Sequence, residues 1–310
     1  MRETISFIIP TLNAEKYIDK LIKRLLSQTI QIQEIILLDS ESDDKTVEIA
    51  NKYDKVRIVR IERKNFDHGG TRNIGFEEAV GDIVFVMSQD ALPCDKYYVE
   101  NMLSALKEPG VVMATARQVP YPDAPRIEKI TRAYNYSDKT IIKDISMLDK
   151  LGVKTFFFSD VCSAYKKNVY FELGGYETPA LICNDMVMAS KALHAGYSTA
   201  YKADAKVFHS HKYTLKQQYK RNFDTAADML INKDYFDNAS DTKEGIKMVK
   251  YVLIKLIKGL HFITAFYYCI ECAAKLFGNR SGKKYESMSK EKILKRTTNK
   301  SYWYRKGIID

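Results

Sequence analysis

The sequence predicts an α/β protein: a mostly parallel central sheet flanked by helices, with an amphipathic helical extension at the C-terminal end. Three observations carry this. Short apolar runs alternate with amphipathic stretches through the first 120 residues, the pattern of a parallel sheet covered on both faces. Polar clusters follow three of those runs, and ligands of such sheets bind beyond the carboxyl ends of the strands. Charge is also segregated: 16 Lys/Arg stand against 6 Asp/Glu in 241–310, while 33 face 33 elsewhere, so the net charge of +10 belongs to the C-terminal end.

At 310 residues, 45% apolar and 28% charged, the chain can bury a full core and does not have the composition of a disordered protein. We divide it into a sheet domain, 1–238, with a first half 1–118 and a second half 119–238, and a basic helical tail, 239–310.

Taken in order, 5–10 reads as a strand and 14–28 as a helix with Ile18, Leu21, Ile22 and Leu25 on one face. A strand at 34–39 closes on Ser40-Glu41-Ser42-Asp43-Asp44, with a helix over 45–53. A third strand, 56–61, leads through a Gly-rich turn to a helix over 71–80. The fourth, 82–87, ends in Ser88-Gln89-Asp90. The pattern weakens over 119–151, where three prolines precede a mixed polar helix, and this reads as an insertion. Short strands follow at 156–158 and 163–166, a helix at 185–195, strands at 199–201 and 207–209, and a long helix at 215–235.

The stretch 244–276 is the clearest amphipathic helix. Lys247, Lys250, Lys255, Lys258 and His261 fall within an arc of roughly 140° at helical spacing, and the rest is largely aliphatic and aromatic. Its longest run without Asp, Glu, Lys or Arg is the twelve residues 259–270, too short to cross a bilayer. A lysine face opposite an apolar one suits a helix lying in a membrane interface, and Lys283, Lys284, Lys295, Arg296 and Trp303 suit anionic headgroups. Nucleic acid is not an expected partner, because these basic residues lie on an apolar helix without a reading motif. The five cysteines are scattered; Cys269 and Cys272 form a lone C-x-x-C with no second pair, so buried thiols are expected rather than a zinc or redox site. Reduced cysteines and a start that runs straight into a strand lead us to expect a cytoplasmic protein.

The residues at the strand ends carry chemistry. Asp39 stands where a carboxylate can accept a hydrogen bond from the imide N–H of uracil or thymine, which adenine and cytosine do not have. Asp43 or Asp44 is better placed to cap the next helix. Asp90 follows a buried run, where stability gives no reason for an acid, and is the main candidate ligand for Mg²⁺ or Mn²⁺. Gly69-Gly70 lets backbone approach a ligand, with Arg72 supplying charge. Asp185 opens a helix and is a candidate general base. His209 and His211 follow a strand at a spacing that can complete metal or phosphate binding.

Together these stretches resemble family 2 glycosyltransferases over about 4–235. Ile8-Ile9-Pro10-Thr11-Leu12-Asn13 and Asp39 to Thr46, with Ser42 inside it, resemble that family's base-binding segments. Gly70-Thr71-Arg72-Asn73-Ile74-Gly75 resembles its phosphate-side motif, and Ser88-Gln89-Asp90 stands at its metal-binding Asp-x-Asp. Gly174-Gly175-Tyr176 and Asn184-Asp185 resemble its acceptor-side motifs, with which we group Asp160; Arg221, in a Gln-x-x-Arg, is grouped with the donor. The resemblance implies a nucleotide-diphospho-sugar transferase (GT-A type) fold, 1–118 holding the donor and 119–238 the acceptor. The run 66–73 and Gln89-Asp90-Ala91 most resemble bacterial rhamnosyltransferases of surface polysaccharide synthesis. That implies a dTDP-L-rhamnose donor, inversion, and a lipid-linked saccharide acceptor at the inner face of the cell membrane, where the tail holds the enzyme peripherally.

In the expected mechanism Asp39 and the Thr11–Asn13 loop hold the base, Asp90 and His209 hold the metal, Arg72 neutralises the leaving group, and Asp185 takes the acceptor proton. Three positions depart from the family pattern. Ser88 replaces the first carboxylate of the metal motif, Asn184 replaces an acid before the base, and Asn222 stands where processive synthases carry Trp. Transfer of one or a few sugars is therefore expected. The rival readings are a UDP-hexose-using relative, a nucleotidyltransferase, which lacks its triphosphate loop here, and a non-catalytic membrane-surface module, which leaves the acids unexplained.

Overall fold

The computed structural model describes residues 3–237, 239 and 242–309, and the division set at 238 lies outside them. In chain order β1 (Ile5–Thr11), α1 (Ile18–Leu26), β2 (Glu34–Asp39), α2 (Thr46–Ala50), β3 (Val56–Arg60), α3 (His68–Glu78) and β4 (Ile83–Met87) form the alternating half. Then come β5 (Leu92–Pro93), α4 (Tyr98–Leu106), β6 (Val111–Val119), α5 (Arg126–Asn135), β7 (Ile141–Lys143), α6 (Leu148–Leu151), β8 (Cys162–Lys166), α7 (Lys167–Glu172), α8 (Asn184–His194) and β9 (Ser198–Phe208). Helices close the chain: α9 (Leu215–Ile231), α10 (Thr242–Lys258), α11 (Phe262–Gly282), α12 (Lys290–Arg296) and α13 (Lys300–Arg305).

One mixed sheet runs β3-β2-β1-β4-β8-β6-β9-β5, with β7 on β9. Strands β3, β2, β1 and β4 are parallel, while β8 is antiparallel to both β4 and β6. Alternate side chains of a strand point to opposite faces, and here both faces are covered. Phe7, Ile9, Leu37 and Phe85 pack with α1 on one side; Ile8, Leu38, Val86 and Phe76 pack with Tyr165, Tyr170 and Tyr176 on the other. That double burial is why these strands read as unbroken apolar runs. The chain leaves β1 for β2 on one side, and β4 returns on the other, so the loops after β1 and β4 part and leave a crevice.

Several elements differ from the sequence expectation. The helix at 71–80 starts earlier, at His68, because the Asp67 carboxylate accepts the N–H groups of Gly69 and Gly70 at 3.1 and 2.8 Å. Its second oxygen accepts the Ala180 N–H at 3.0 Å and so ties α3 to the segment leading into α8. Asp67→Ala leaves three N–H groups without this acceptor, and about 2–4 kcal/mol of stability should be lost in urea unfolding; a loss below about 0.5 kcal/mol would mean that water replaces the carboxylate.

Residues 156–158 are not a strand: Phe156 and Phe158 are both buried, so their apolar character comes from irregular backbone inside the core. The two strands expected at 199–201 and 207–209 are one, β9, whose pairing with β6 shifts register between Ala116 and Arg117. The sequence pattern leaves α4 and β6 unassigned. The single helix expected at 244–276 is broken, with Leu260 in the left-handed region at φ 57°. Val252 and Leu256 of α10 then pack on Ala265 and Tyr268 of α11, and against Ile127 and Ile130 of α5. Helix α11 runs along α9, where Gly278 and Gly282 give room to the Tyr219 and Phe223 carbonyl oxygens that any Cβ would strike.

Candidate active site

The loops after β1, β2 and β4 and the first turn of α3 enclose a cleft of about 340 Å³. Pro10, Thr11, Arg72, Gln89 and Asp90 line it, as the sequence leads one to expect, and so do Arg63, Phe66 and His68, which it does not single out. Arg63 is held there by the Ser40 and Glu41 carbonyl oxygens and by Asp43, at 2.7 Å. Nothing short of the folded loop marks it, since an isolated Arg after a strand carries no pattern.

At one end Asp39, 2% exposed, faces Thr11 across the β1–β2 register. Its carboxylate accepts the Thr11 hydroxyl at 3.2 Å, the Ser42 hydroxyl at 2.6 Å and the Ser42 N–H at 3.0 Å. Ser42 Oγ in turn accepts the Asn13 N–H at 2.9 Å, and Asn13 takes a left-handed turn at φ 52° that an Asn tolerates better than most residues. Gln89 has a different task from the one expected. Its amide bonds both the N–H and the C=O of Leu12, at 2.8 and 3.1 Å, which fixes the β1 loop to the β4 loop and occupies the side chain.

At the other end Asp90, His209 and His211 converge, each offering one donor atom within 4.8 Å of the others. Both Nε2 atoms face the carboxylate, at 3.6 Å for His209 and 3.5 Å for His211. His209 Nδ1 lies 2.9 Å from Gln118 Oε1, which also accepts from the Arg132 guanidinium. An oxygen that can only accept makes Nδ1 the protonated nitrogen, so the Nε2 lone pair points at Asp90. Burial, with His211, Arg132 and Arg221 near, pushes the His209 pKa down to about 2, so the ring is neutral. The His209 Nε2 lone pair and the Asp90 carboxylate, aimed at one point, repel one another unless a cation lies between them, and His211 Nε2 faces the same point. The donor set therefore fits a divalent ion, and two imidazoles favour Mn²⁺ over Mg²⁺, which prefers oxygen. The sequence offers both histidines for metal or phosphate binding and pairs His209 with Asp90; the structure brings His211 to the same point.

Arg72 links this cleft to the acid at the start of α8. Its guanidinium donates to the His68 carbonyl at 2.6 Å, and its Nε lies 3.7 Å from Asp160. Asp160 is a buried hub that accepts the hydroxyls of Ser163, Tyr165 and Tyr176 at 2.5–2.8 Å. Its own N–H donates to Asp185 at 3.2 Å. Bound to three buried hydroxyls, Asp160 is an architectural acid. Asp185 is the freer of the two, and burial followed by the Asp160 charge raises its pKa to about 7. Asp228, which the sequence does not flag, aims the entry to α8 by accepting the N–H groups of Ile182 and Cys183 at 2.9 and 2.6 Å.

Further expected site residues sit elsewhere or do other work. Asn73 bonds the backbone of Tyr176 on both sides and accepts the Tyr170 hydroxyl, so it fastens α3 to the loop between α7 and α8. Tyr176 itself is 3% exposed. Asn184 lines a separate small cavity with Asp228 and Tyr302. Arg221 lies 4.9 Å over the Tyr213 ring, beside the histidine pair rather than in the cleft. Gly70 takes its place in the first turn of α3, and Gly175, at φ 66°, turns the loop that Asn73 holds.

Comparison with known proteins gives a consistent picture. Residues 6–174 match the family model Glycosyl transferase family 2. The chain is 34% identical to the O-antigen chain rhamnosyltransferase RfbN of Salmonella typhimurium over 96% of both chains. It is also 34% identical to WbaN of Salmonella anatum, named an O-antigen chain rhamnosyltransferase, over 97% of this chain and 96% of that one. Among solved structures, the mannosyltransferase PcManGT of Pyrobaculum calidifontis, in complex with GDP-Man and Mn²⁺, superposes with TM-score 0.57 at 15% identity, covering 93% of this chain and 75% of that one.

Proposed function

Because this chain belongs to glycosyl transferase family 2 and is a glycosyltransferase, we propose that it transfers L-rhamnose from dTDP-L-rhamnose, with inversion, to a lipid-linked saccharide in O-antigen synthesis. The near full-length similarity to two proteins named O-antigen chain rhamnosyltransferases supports the sugar. The observation that carries the chemistry is the convergence of Asp90, His209 and His211 at one end of a cleft whose lining includes Thr11 and Ser40, with Asp39 buried behind them.

The base lies at the Asp39 end, against the loop that Ser42 and Asn13 shape. Asp39 accepts the imide N–H that thymine and uracil share. Asp90, His209 and His211 would hold Mn²⁺, which when bound supplies positive charge to the departing diphosphate. Arg72, already desolvated beside the cleft, adds a fixed charge on the same side. Asp185 takes the proton of the acceptor hydroxyl as that oxygen attacks the anomeric carbon from the face opposite the leaving group. Asp160 raises the proton affinity of Asp185 and holds it in place. Among the described residues no helix is long and apolar enough to cross a membrane, and we place the enzyme peripherally on the cytoplasmic face, where such an acceptor resides.

Calorimetric titration with dTDP-rhamnose, UDP-glucose and GDP-mannose, each with and without Mn²⁺, tests the reading. Mn²⁺-enhanced binding of dTDP-rhamnose alone is expected. Preference for UDP-glucose would replace the donor by a UDP-hexose and keep the mechanism, whereas binding of none would remove the donor assignment.

A further inference from the structure

We propose that the bend between α10 and α11 inserts into an anionic lipid bilayer and sets the active site against the membrane surface. This rests on the acceptor being lipid-borne, and it replaces a helix lying flat by a hairpin that enters tip first.

The packing of the two helices leaves a particular face outward. Val252, Leu256, Ala265 and Tyr268 are buried between them and against α5. The opposite face is apolar as well: Leu260 is 75% exposed, Ile263 88% and Phe266 71%, with Ile254, Ile257 and Ile270 beside them. Of 21 exposed large hydrophobics among the described residues, eight fall between 254 and 270. Scattered surface apolar residues need no explanation, but a concentration at one bend does.

Charge identifies what covers it. Between 245 and 285 the chain carries eight Lys and Arg and a single acid, Glu271, which is buried. Lys255 and Lys258 are exposed on the last turn of α10, just before the apolar tip. A second copy of this chain on the same face would bring like charges together across a symmetric contact. A bilayer with anionic headgroups satisfies both parts, since the tip enters the acyl boundary while the lysine stems run back to the phosphates.

The position of the hairpin gives the docking a use. Its buried face rests on Ile127 and Ile130 of α5. The same helix carries Arg132, which reaches Gln118 and His209, and Glu128, which pairs with Arg132 and accepts the His211 N–H. The membrane-facing element is thus one helix away from the metal-ligand trio, on the wall that an acceptor rising from the bilayer would meet.

Flotation of the full chain with vesicles of phosphatidylcholine alone, and of phosphatidylcholine with phosphatidylglycerol, tests this. Binding is expected to the second only, and to weaken with added salt. Ile263→Asp with Phe266→Asp, and separately Lys255→Glu with Lys258→Glu, change exposed side chains and should each lower vesicle partitioning about tenfold or more. Both variants should keep their dTDP-rhamnose titration in solution. Wild-type protein that floats with neither vesicle, or an apolar variant that floats as well as wild type, overturns the docking. So does a dimer in sedimentation that the apolar variant breaks, which would assign the face to a second copy. Loss of vesicle binding with donor binding intact leaves the transferase reading standing; loss of donor binding in the wild type is a failure of that reading instead.

Discussion

Asp185→Asn is expected to lower the turnover of sugar transfer by about a thousandfold while leaving the Kd for donor and Mn²⁺ close to that of the wild type. The substitution keeps the shape of the side chain and one oxygen to accept a backbone N–H, and it removes the ability to take a proton; of the Asp160 and Met186 N–H groups that the carboxylate accepts, one loses its acceptor. A base must be ionised to act, and this one has a pKa raised to about 7 by burial and by Asp160. Transfer should therefore rise about tenfold per pH unit below 7 and level off above it. Stability runs the other way. A carboxyl with a folded pKa above its unfolded value contributes stability that is full below the unfolded pKa and is lost as pH rises through 7. Asp185→Asn should thus melt at a higher temperature than the wild type at pH 8 and show little difference at pH 4. If donor affinity collapses with turnover, or if the variant melts lower at pH 8, Asp185 is part of the architecture and another group takes the proton.

The parallel half of the sheet was legible because its strands are buried on both faces and separated by amphipathic helices, so that the four expected strands coincide with the structure to within a residue at each end. Strand β6 was not, although Val111, Val112, Met113 and Ala114 are all buried. The Pro109-Gly110 turn before it does mark its start, but its apolar run is short and its partners β8 and β9 lie about 50 and 90 residues further along, so no neighbouring strand identifies it. The tail misled for a related reason. Helical periodicity survives a three-residue break when both segments bury compatible faces, and no Pro marks the bend at Leu260. In the site, acids at strand ends could be seen because stability does not call for them. What periodicity does not encode is which side chains have been used up. Gln89, Asn73 and Asp160 sit in motif positions but spend their polar atoms on the Leu12 backbone, on Tyr176 and on three hydroxyls. The converse holds for Gln118 and Arg132, which meet each other and His209 only because β6, β9 and α5 bring distant segments together.

Asp90→Ala is expected to weaken Mn²⁺ binding by about a hundredfold or more, read as free-ion signal in an electron paramagnetic resonance titration. Asp90 supplies the only formal charge in the trio, because burial keeps His209 neutral and the family's other acid is Ser88. A single carboxylate with two imidazoles is a weak site by itself, so most of the affinity should appear only when dTDP or dTDP-rhamnose brings its diphosphate. Removing one imidazole, in His209→Ala or His211→Ala, leaves the charge in place and should cost less. Gln118→Leu touches no ligand atom, yet it deprives His209 Nδ1 of its acceptor and releases the tautomer; about a tenfold loss is expected. The order Asp90, then the histidines, then Gln118 follows from charge first, lone pairs second and orientation third. Mn²⁺ affinity unchanged in Asp90→Ala would remove the trio as the metal site, and Mg²⁺ binding as tightly as Mn²⁺ would show that the imidazoles do not coordinate.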